Sequence, residues 1–115
     1  GGISTYESTP EALIRWAAAQ LPAGARLITF GMTLPVRHYT PLEALELYEL
    51  TPADLERLAA EDAPLFLLID PGIEAQWRGR PPWENYAWLR DAGRLRPAGE
   101  FGAQRLFRVT IRERP

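Results

Sequence analysis

The sequence contains no cysteine and no lysine, and its 115 residues include a single histidine. The absence of cysteine excludes disulfides, thiolate nucleophiles and cysteine-ligated metals. Every basic residue is arginine, a usage that a GC-rich genome produces. No spacing of histidine and acidic residues resembles a metal site, so we expect neither a metal nor another cofactor.

Long apolar runs are also missing. No stretch approaches the roughly 20 apolar residues that span a bilayer, and no secretory signal peptide is recognisable. The net charge of -2 gives no basis for binding nucleic acid and no polybasic patch for a membrane. The chain opens with two glycines and its only methionine is Met32, so we expect a fragment or processed piece of a longer protein.

The most informative stretch covers residues 64–82. Its apolar run at 65–69 ends at Asp70-Pro71-Gly72, and so short a run bounded by turn residues is typical of a strand covered on both faces. We expect this strand in the interior of the sheet, next to a strand at 26–30 that stops at Gly31.

Start and stop signals predict three longer helices. Thr9 and Thr51 each precede a proline and an acidic residue, which together favour a capped helix start. A third helix is predicted at 83–92, with Gly93 suited to its carboxyl end.

Two segments between the first strand and the second helix are harder to assign. Thr33 could cap a short helix that runs through Tyr39, although Pro35 limits how early that helix is regular. Residues 45–49 alternate between apolar and polar, which favours a half-buried outer strand. A helix over 42–50 also fits the spacing, and we prefer the strand.

Alternation of helices and strands predicts an α/β fold: three α/β/α layers around a mostly parallel sheet. Two strands around Gly102-Ala103 are expected to form an antiparallel hairpin at one edge. We expect residues 1–8 to be a linker or remnant, 9–112 a single domain and 113–115 a tail.

A dense polar and aromatic cluster follows the 65–69 strand. Carboxyl ends of strands are where open α/β sheets bind ligands, and aromatic planes with arginine and amide donors suit a sugar or a phosphate. The alternative is that the tryptophans pack over the sheet end and the arginines are solvated. The cluster comprises Gln76, Trp77, Arg78, Arg80, Trp83 and Asn85.

Neighbours for this cluster are predicted from the segment after the first strand. Loops that follow adjacent strands meet at the same sheet edge, so Arg37, His38 and Tyr39 are candidates to join Gln76, Trp77, Arg78 and Arg80 in one binding surface.

Other candidate residues have competing structural explanations. His38 has no second metal ligand nearby in the sequence, and we favour a structural or surface role. Asp70 and Glu74 could form a carboxylate pair for acid–base chemistry, but Asp70 capping the following turn is the preferred interpretation. The segment after Gly31 lacks the glycine pattern of a nucleotide-binding loop.

Four blocks of the sequence resemble the C-terminal soluble domain of bacterial membrane glycosyltransferases, the protein-O-mannosyltransferase-like enzymes related to the aminoarabinose transferase of lipid A. IEAQW and FG-x-x-x-LF-x-V are the most recognisable parts of the resemblance, which covers nearly the whole chain. The blocks are PEALIRWAAAQLPAGARLITFGMTLPVRHYT, LYELTPADL, PLFLLIDPGIEAQWRGRPPWENYAWL and GEFGAQRLFRV.

The resemblance implies a domain on the extracytoplasmic face of the cell membrane, attached to a bundle of membrane helices. Such enzymes move a sugar from a polyprenyl-phosphate donor to an acceptor, and their catalytic acid lies in the membrane part. No catalytic residue is therefore carried over to this chain, and the isolated domain is expected to be inactive. The implied partners are the membrane-embedded part of the same polypeptide and a lipid-linked sugar or acceptor. A free-standing ligand-binding or regulatory domain and a small enzyme using Asp70, Glu74 or His38 are the alternatives.

Overall fold

A computed structural model describes residues 10–110, so Thr9 and the predicted end segments 1–8 and 113–115 lie outside the described residues. Within 10–110, no helix is long and apolar enough to cross a membrane. The helices are α1 (Pro10–Gln20), α2 (Thr33–Tyr39), α3 (Pro52–Ala60), α4 (Glu74–Trp77) and α5 (Pro81–Asp91). The strands are β1 (Arg26–Thr29), β2 (Glu43–Glu46), β3 (Leu65–Ile69), β4 (Leu95–Phe101) and β5 (Gln104–Val109). Single 3-10 turns occupy Leu47–Glu49 and Pro71–Ile73.

The five strands form one mixed sheet in the order β2-β1-β3-β5-β4. β1 pairs in parallel with β2 and with β3, whereas β5 pairs antiparallel with both β3 and β4. The α/β class is confirmed, and so is the interior position of β3. The prediction of a mostly parallel sheet is wrong, because β5 enters the sheet beside β3 in the opposite direction.

The β4–β5 hairpin explains this insertion. The strands are joined at Gly102, whose φ of 59° suits glycine in a tight turn. β5 has buried side chains such as Leu106 and Val109 and can occupy an interior position. β4 carries Pro97 beside a register shift, and proline is tolerated at a sheet edge where its missing N–H costs no ladder bond.

Helices cover both faces of the sheet. On one face, Phe66 and Leu68 of β3 belong to a core with α1 and α2. On the other face, Leu65, Leu67 and Ile69 pack in a core with α3 and α5. All five side chains of β3 are buried, which is why the strand reads as one continuous apolar run rather than an alternating one.

Local signals account for the helix boundaries. The Thr51 side chain accepts a hydrogen bond from the Asp54 backbone N–H, and the Asp54 side chain accepts from Thr51 N, a reciprocal capping box at the start of α3. At the other end of a different helix, α5, Gly93 has a φ of 69° and allows the chain to turn away, as glycine does after a helix carboxyl end.

The segments 33–39 and 45–49 have different outcomes: the first forms a helix, and the second only partly forms a strand. α2 forms over Thr33–Tyr39, but Thr33 is its first residue rather than its cap. The outer strand is Glu43–Glu46 and the chain then turns into 3-10 geometry at Leu47–Glu49. The predicted strand at 45–49 is therefore shifted, because Glu46 bonds back to the Tyr48 N–H and ends the extended run.

Candidate functional site

At the carboxyl ends of the neighbouring strands β1 and β3, the chain continues to opposite sides of the sheet, which leaves a crevice between the two strand ends. The chain leaves β1 toward β2 on one side, and it leaves β3 toward the hairpin on the other. Open α/β sheets bind ligands outside the carboxyl ends of strands at such a point. Phe30 and Gly31 follow β1 here, and the segment from Asp70 to Arg80 follows β3.

Two aromatic rings, those of Phe30 and Tyr48, contact the Trp77 ring at this end of the sheet. The Trp77 ring lies 4.9 Å from the Phe30 ring at 83°, and 6.1 Å from the Tyr48 ring at 86°, centre to centre. Both contacts have the edge-to-face geometry that aromatic pairs favour. We call Phe30, Tyr48, Trp77 and Arg80 the carboxyl-end surface, since each lies at or beyond the carboxyl end of β1, β2 or β3.

Arg80 contributes the positive charge of this surface. Its guanidinium carbon lies 4.7 Å from the centre of a Trp77 ring. Within residues 10–110 the exposed Arg80 has no carboxylate partner. Arg78, two residues earlier, differs because its Nη2 pairs with Glu74 Oε2 at 2.9 Å. A guanidinium without a carboxylate partner is available to an anion.

A short chain of local contacts sets the position of Trp77. Asp70 Oδ1 accepts a hydrogen bond of 2.7 Å from Gly72 N and so caps the turn that leads into α4. Gly79 then takes a φ of 81° that a side chain would disfavour. Its N–H donates to Glu84 Oε1 at the start of α5, which ties the Trp77–Arg80 loop to that helix.

The turn that carries Tyr48 is held from two directions. Glu46 Oε2 accepts from Tyr48 N at 3.1 Å, and Glu46 Oε1 accepts from Gly31 N at 2.8 Å. From α5, the buried Asn85 donates through Nδ2 to Leu47 O at 3.1 Å and to Leu50 O at 2.7 Å. Asn85, predicted as part of a binding cluster, is thus used inside the fold to fix this turn.

An open cleft of about 520 Å³ adjoins the carboxyl-end surface between α2 and β2. Its volume falls within the roughly 300–1,000 Å³ range of small-molecule sites. Leu34 at its rim is 74% exposed, more than any other large apolar side chain described. Residues that line the cleft include Leu34, Arg37, Leu45, Glu46, Glu49 and Leu50.

The predicted site residues fall into separate sets of contacts. Trp77 and Arg80 lie together, and Gln76 is exposed on α4 beside them. Arg37 lines the cleft and donates through Nη2 to Ala44 O at 3.2 Å. Tyr39 packs against the core that contains α1, with the Arg15 guanidinium 5.4 Å from its ring, and the exposed His38 lies against Tyr39.

The candidate catalytic groups already have roles in the fold. Asp70 caps a turn, and Glu74 is paired with Arg78.

Trp83, expected in the aromatic cluster, is buried against Tyr86 in the core. Over the described residues there is no cluster of three or more histidine, aspartate or glutamate side chains that could hold a metal ion.

Sequence patterns did not single out Tyr48, Glu46 or Glu49. The alternating pattern at 45–49 predicts a strand that contains Tyr48 and Glu49, and a tyrosine in a strand needs no special explanation. A usable signal was their place immediately before the Thr51-Pro52 helix start, because a residue between a strand and a capped helix lies at the strand's carboxyl end.

Comparisons of this chain with protein-family models, with curated proteins and with solved structures give no match.

Proposed function

We propose that this chain is a non-catalytic, extracytoplasmic accessory domain of a polytopic membrane glycosyltransferase that uses a polyprenyl-phosphate sugar donor. The resemblance of the four sequence blocks motivates the family. One observation supports a role for the site: Arg80, which has no carboxylate partner among residues 10–110, lies over Trp77 beside the crevice between β1 and β3. A phosphate of a lipid-linked sugar or acceptor is an anion that such a guanidinium binds.

A non-catalytic role agrees with the contacts of Asp70 and Glu74, the two carboxylates that the sequence suggests for acid–base chemistry. General acid–base catalysis needs a carboxyl group within reach of the substrate and free to exchange its proton. Asp70 accepts from a backbone N–H and Glu74 pairs with Arg78, so both carboxylates are engaged in local structure. The proposed contribution of this domain is binding and positioning, with the transfer chemistry in the membrane part.

The first test of the family is the reading frame upstream of Gly1. The proposal predicts several apolar spans of about 20 residues each. An initiating methionine close to Gly1 would instead favour the free-standing ligand-binding or regulatory domain.

The test of the surface is the transfer rate of the full-length enzyme. Arg80→Gln should lower transfer at limiting donor about tenfold or more, because hydrogen bonds to charged groups contribute about 1.5–3 kcal/mol. Arg78→Gln should have a smaller effect, since Glu74 already pairs its charge. Arg57→Gln is the matched control, an exposed arginine on α3 paired with Asp54. Equal transfer rates for Arg80→Gln and Arg57→Gln would show that the carboxyl-end surface does not bind the phosphate of the donor or acceptor.

A further inference from the structure

The strand β2 forms one edge of the sheet, and its outer side pairs with no other strand among residues 10–110. A free strand edge offers backbone N–H and C=O groups that an extended peptide can bind. The opposite edge is less suited to this, because β4 carries Pro97 beside a register shift. The register of β2 with β1 is continuous over Glu43–Glu46, so β2 is the edge that can accept an added strand.

The open cleft of about 520 Å³ follows this free edge. Leu34 and Arg37 line it from α2, which packs on one face of the sheet. Leu45 and Leu50 also line it, although they pack with the core on the other face. Because β2 is the last strand on this side, a space bordered from both faces passes around its edge. Ala44 belongs to the same lining, so the cleft extends along the strand and not only past its carboxyl end.

One backbone group of this edge strand is occupied by a side chain. Arg37 Nη2 donates to Ala44 O at 3.2 Å, and Arg37 itself is exposed. An incoming backbone N–H can replace this donor, because the carbonyl then keeps a hydrogen bond and the guanidinium returns to water.

The lining of the cleft combines an exposed apolar side chain with an excess of negative charge. Leu34 is 74% exposed at its rim. Glu46 and Glu49 line the cleft against Arg37 alone, and in the described part of the chain neither carboxylate is paired with an arginine. Glu46 accepts from backbone N–H groups and a hydroxyl, which do not offset its charge. A segment that carries both basic and apolar side chains is complementary to this lining.

We propose that an extended segment of a partner protein, carrying basic and apolar side chains, adds to β2 as a further strand of the sheet. Its backbone pairs along the free edge, its basic side chains contact Glu46 and Glu49, and its apolar side chains cover Leu34. A second copy of this chain does not fit, because a two-fold contact would place the acidic lining against itself. The proposal goes beyond the proposed function and is independent of Arg80, which does not line the cleft.

The test is an NMR titration of the isotope-labelled 115-residue chain with an end-capped peptide of alternating arginine and valine. The backbone amide signals of Glu43–Glu46 should shift, and the exchange of amide hydrogens at the free edge should slow, because the added strand protects them. The same peptide with every backbone amide N-methylated keeps its charge and side chains but cannot pair. It should bind about tenfold more weakly or worse. A peptide of alternating glutamate and valine should show no measurable binding.

Two variants with matched controls locate the peptide in the cleft. Glu49→Gln should weaken binding about two- to fivefold, the range expected for an exposed ion pair. Glu11→Gln, which changes an exposed carboxylate on α1 outside the cleft, should not. Leu34→Ser should weaken binding about fivefold through lost apolar contact, whereas His38→Ser, at an exposed position on the same helix, should not.

Several results would overturn the proposal. Amide signals of β2 that do not change with the arginine–valine peptide would do so, as would equal affinity for the N-methylated or the acidic peptide. A concentration-dependent dimer in sedimentation, dissociated by the arginine–valine peptide, would assign the edge to a second copy of the chain instead. The proposed function is tested separately by the upstream reading frame and by Arg80→Gln.

Discussion

The guanidinium of Arg80 lies 4.7 Å from the centre of a Trp77 ring, although Glu74 and Glu84 are close in the sequence. Glu74 is paired with Arg78, and Glu84 accepts from the Gly79 N–H, so both carboxylates are engaged elsewhere. An exposed cation–π contact contributes only about 0.5–1 kcal/mol. Arg80 can therefore leave Trp77 for an anionic ligand at little cost, which an arginine in a buried ion pair cannot do.

Leu67→Asp should unfold the domain. Leu67 is fully buried in β3 between β1 and β5, and an unpaired charge there costs several kcal/mol, comparable with the whole stability of a small domain. Circular dichroism with thermal melting is the measurement. Leu34→Asp is the control. Because Leu34 is 74% exposed, this variant should melt near the temperature of the parent protein. Cooperative melting of Leu67→Asp at that temperature would contradict the interior position of β3.

Asn85→Ala should destabilise the domain by about 1–3 kcal/mol, because Leu50 O loses its Asn85 donor and Leu47 O keeps only the Leu50 N–H at 3.3 Å. Urea denaturation measures this loss. Gln76→Ala removes a side-chain amide from an exposed position and should change stability by less than about 0.5 kcal/mol. Equal midpoints for the two variants would show that Asn85 does not hold the turn that carries Tyr48.

The stability contributed by Asp54 should depend on pH. Hydrogen bonds from the Thr51 backbone, from Arg57 and from the Thr51 hydroxyl lower the pKa of the Asp54 carboxyl below its ordinary value of 3.8. A lowered folded-state pKa stabilises the fold above the unfolded pKa, and that contribution is lost as the pH falls through the folded pKa. Wild type should therefore exceed Asp54→Asn in stability at pH 7, and the difference should shrink below about pH 3.8.

Urea denaturation of both proteins between pH 7 and pH 2.5 measures this change. Thr51→Ala should reduce the pH dependence, because it removes the hydroxyl donor to Asp54. A wild-type advantage that stays constant down to pH 2.5 would contradict the capping-box explanation.

Much of the candidate site was accessible from the sequence, since its signals are local. The apolar run of β3 and its Asp70-Pro71-Gly72 stop place the following residues at the carboxyl end of a buried strand, so Trp77 and Arg80 were expected together. Their juxtaposition needs only a turn and a short helix. Arg37, His38 and Tyr39 were also expected near them, but which side of α2 each faces depends on how α2 packs between α1 and β2.

Arg26 shows the kind of contact that local patterns do not reveal. As the first residue of a strand it would be expected to reach solvent, yet it is 6% exposed. Its guanidinium donates to Leu58 O at 2.9 Å, to Ala63 O at 2.5 Å and to Glu61 at 2.6 Å. These partners follow Arg26 by more than 30 residues, and only the packing of α3 beside β1 and β3 brings them within reach.

The sequence by itself determined the elements whose signals lie within a few residues: the buried strand Leu65–Ile69, the capping box of α3, the α5 segment and the hairpin turn at Gly102. Tertiary structure decided what depends on distant partners. The antiparallel entry of β5 beside β3 and the fixing of the Tyr48 turn by Asn85 are such cases. The physical reason is that periodicity and capping report on neighbours along the chain, whereas strand order and long-range hydrogen bonds arise only when the two cores pack.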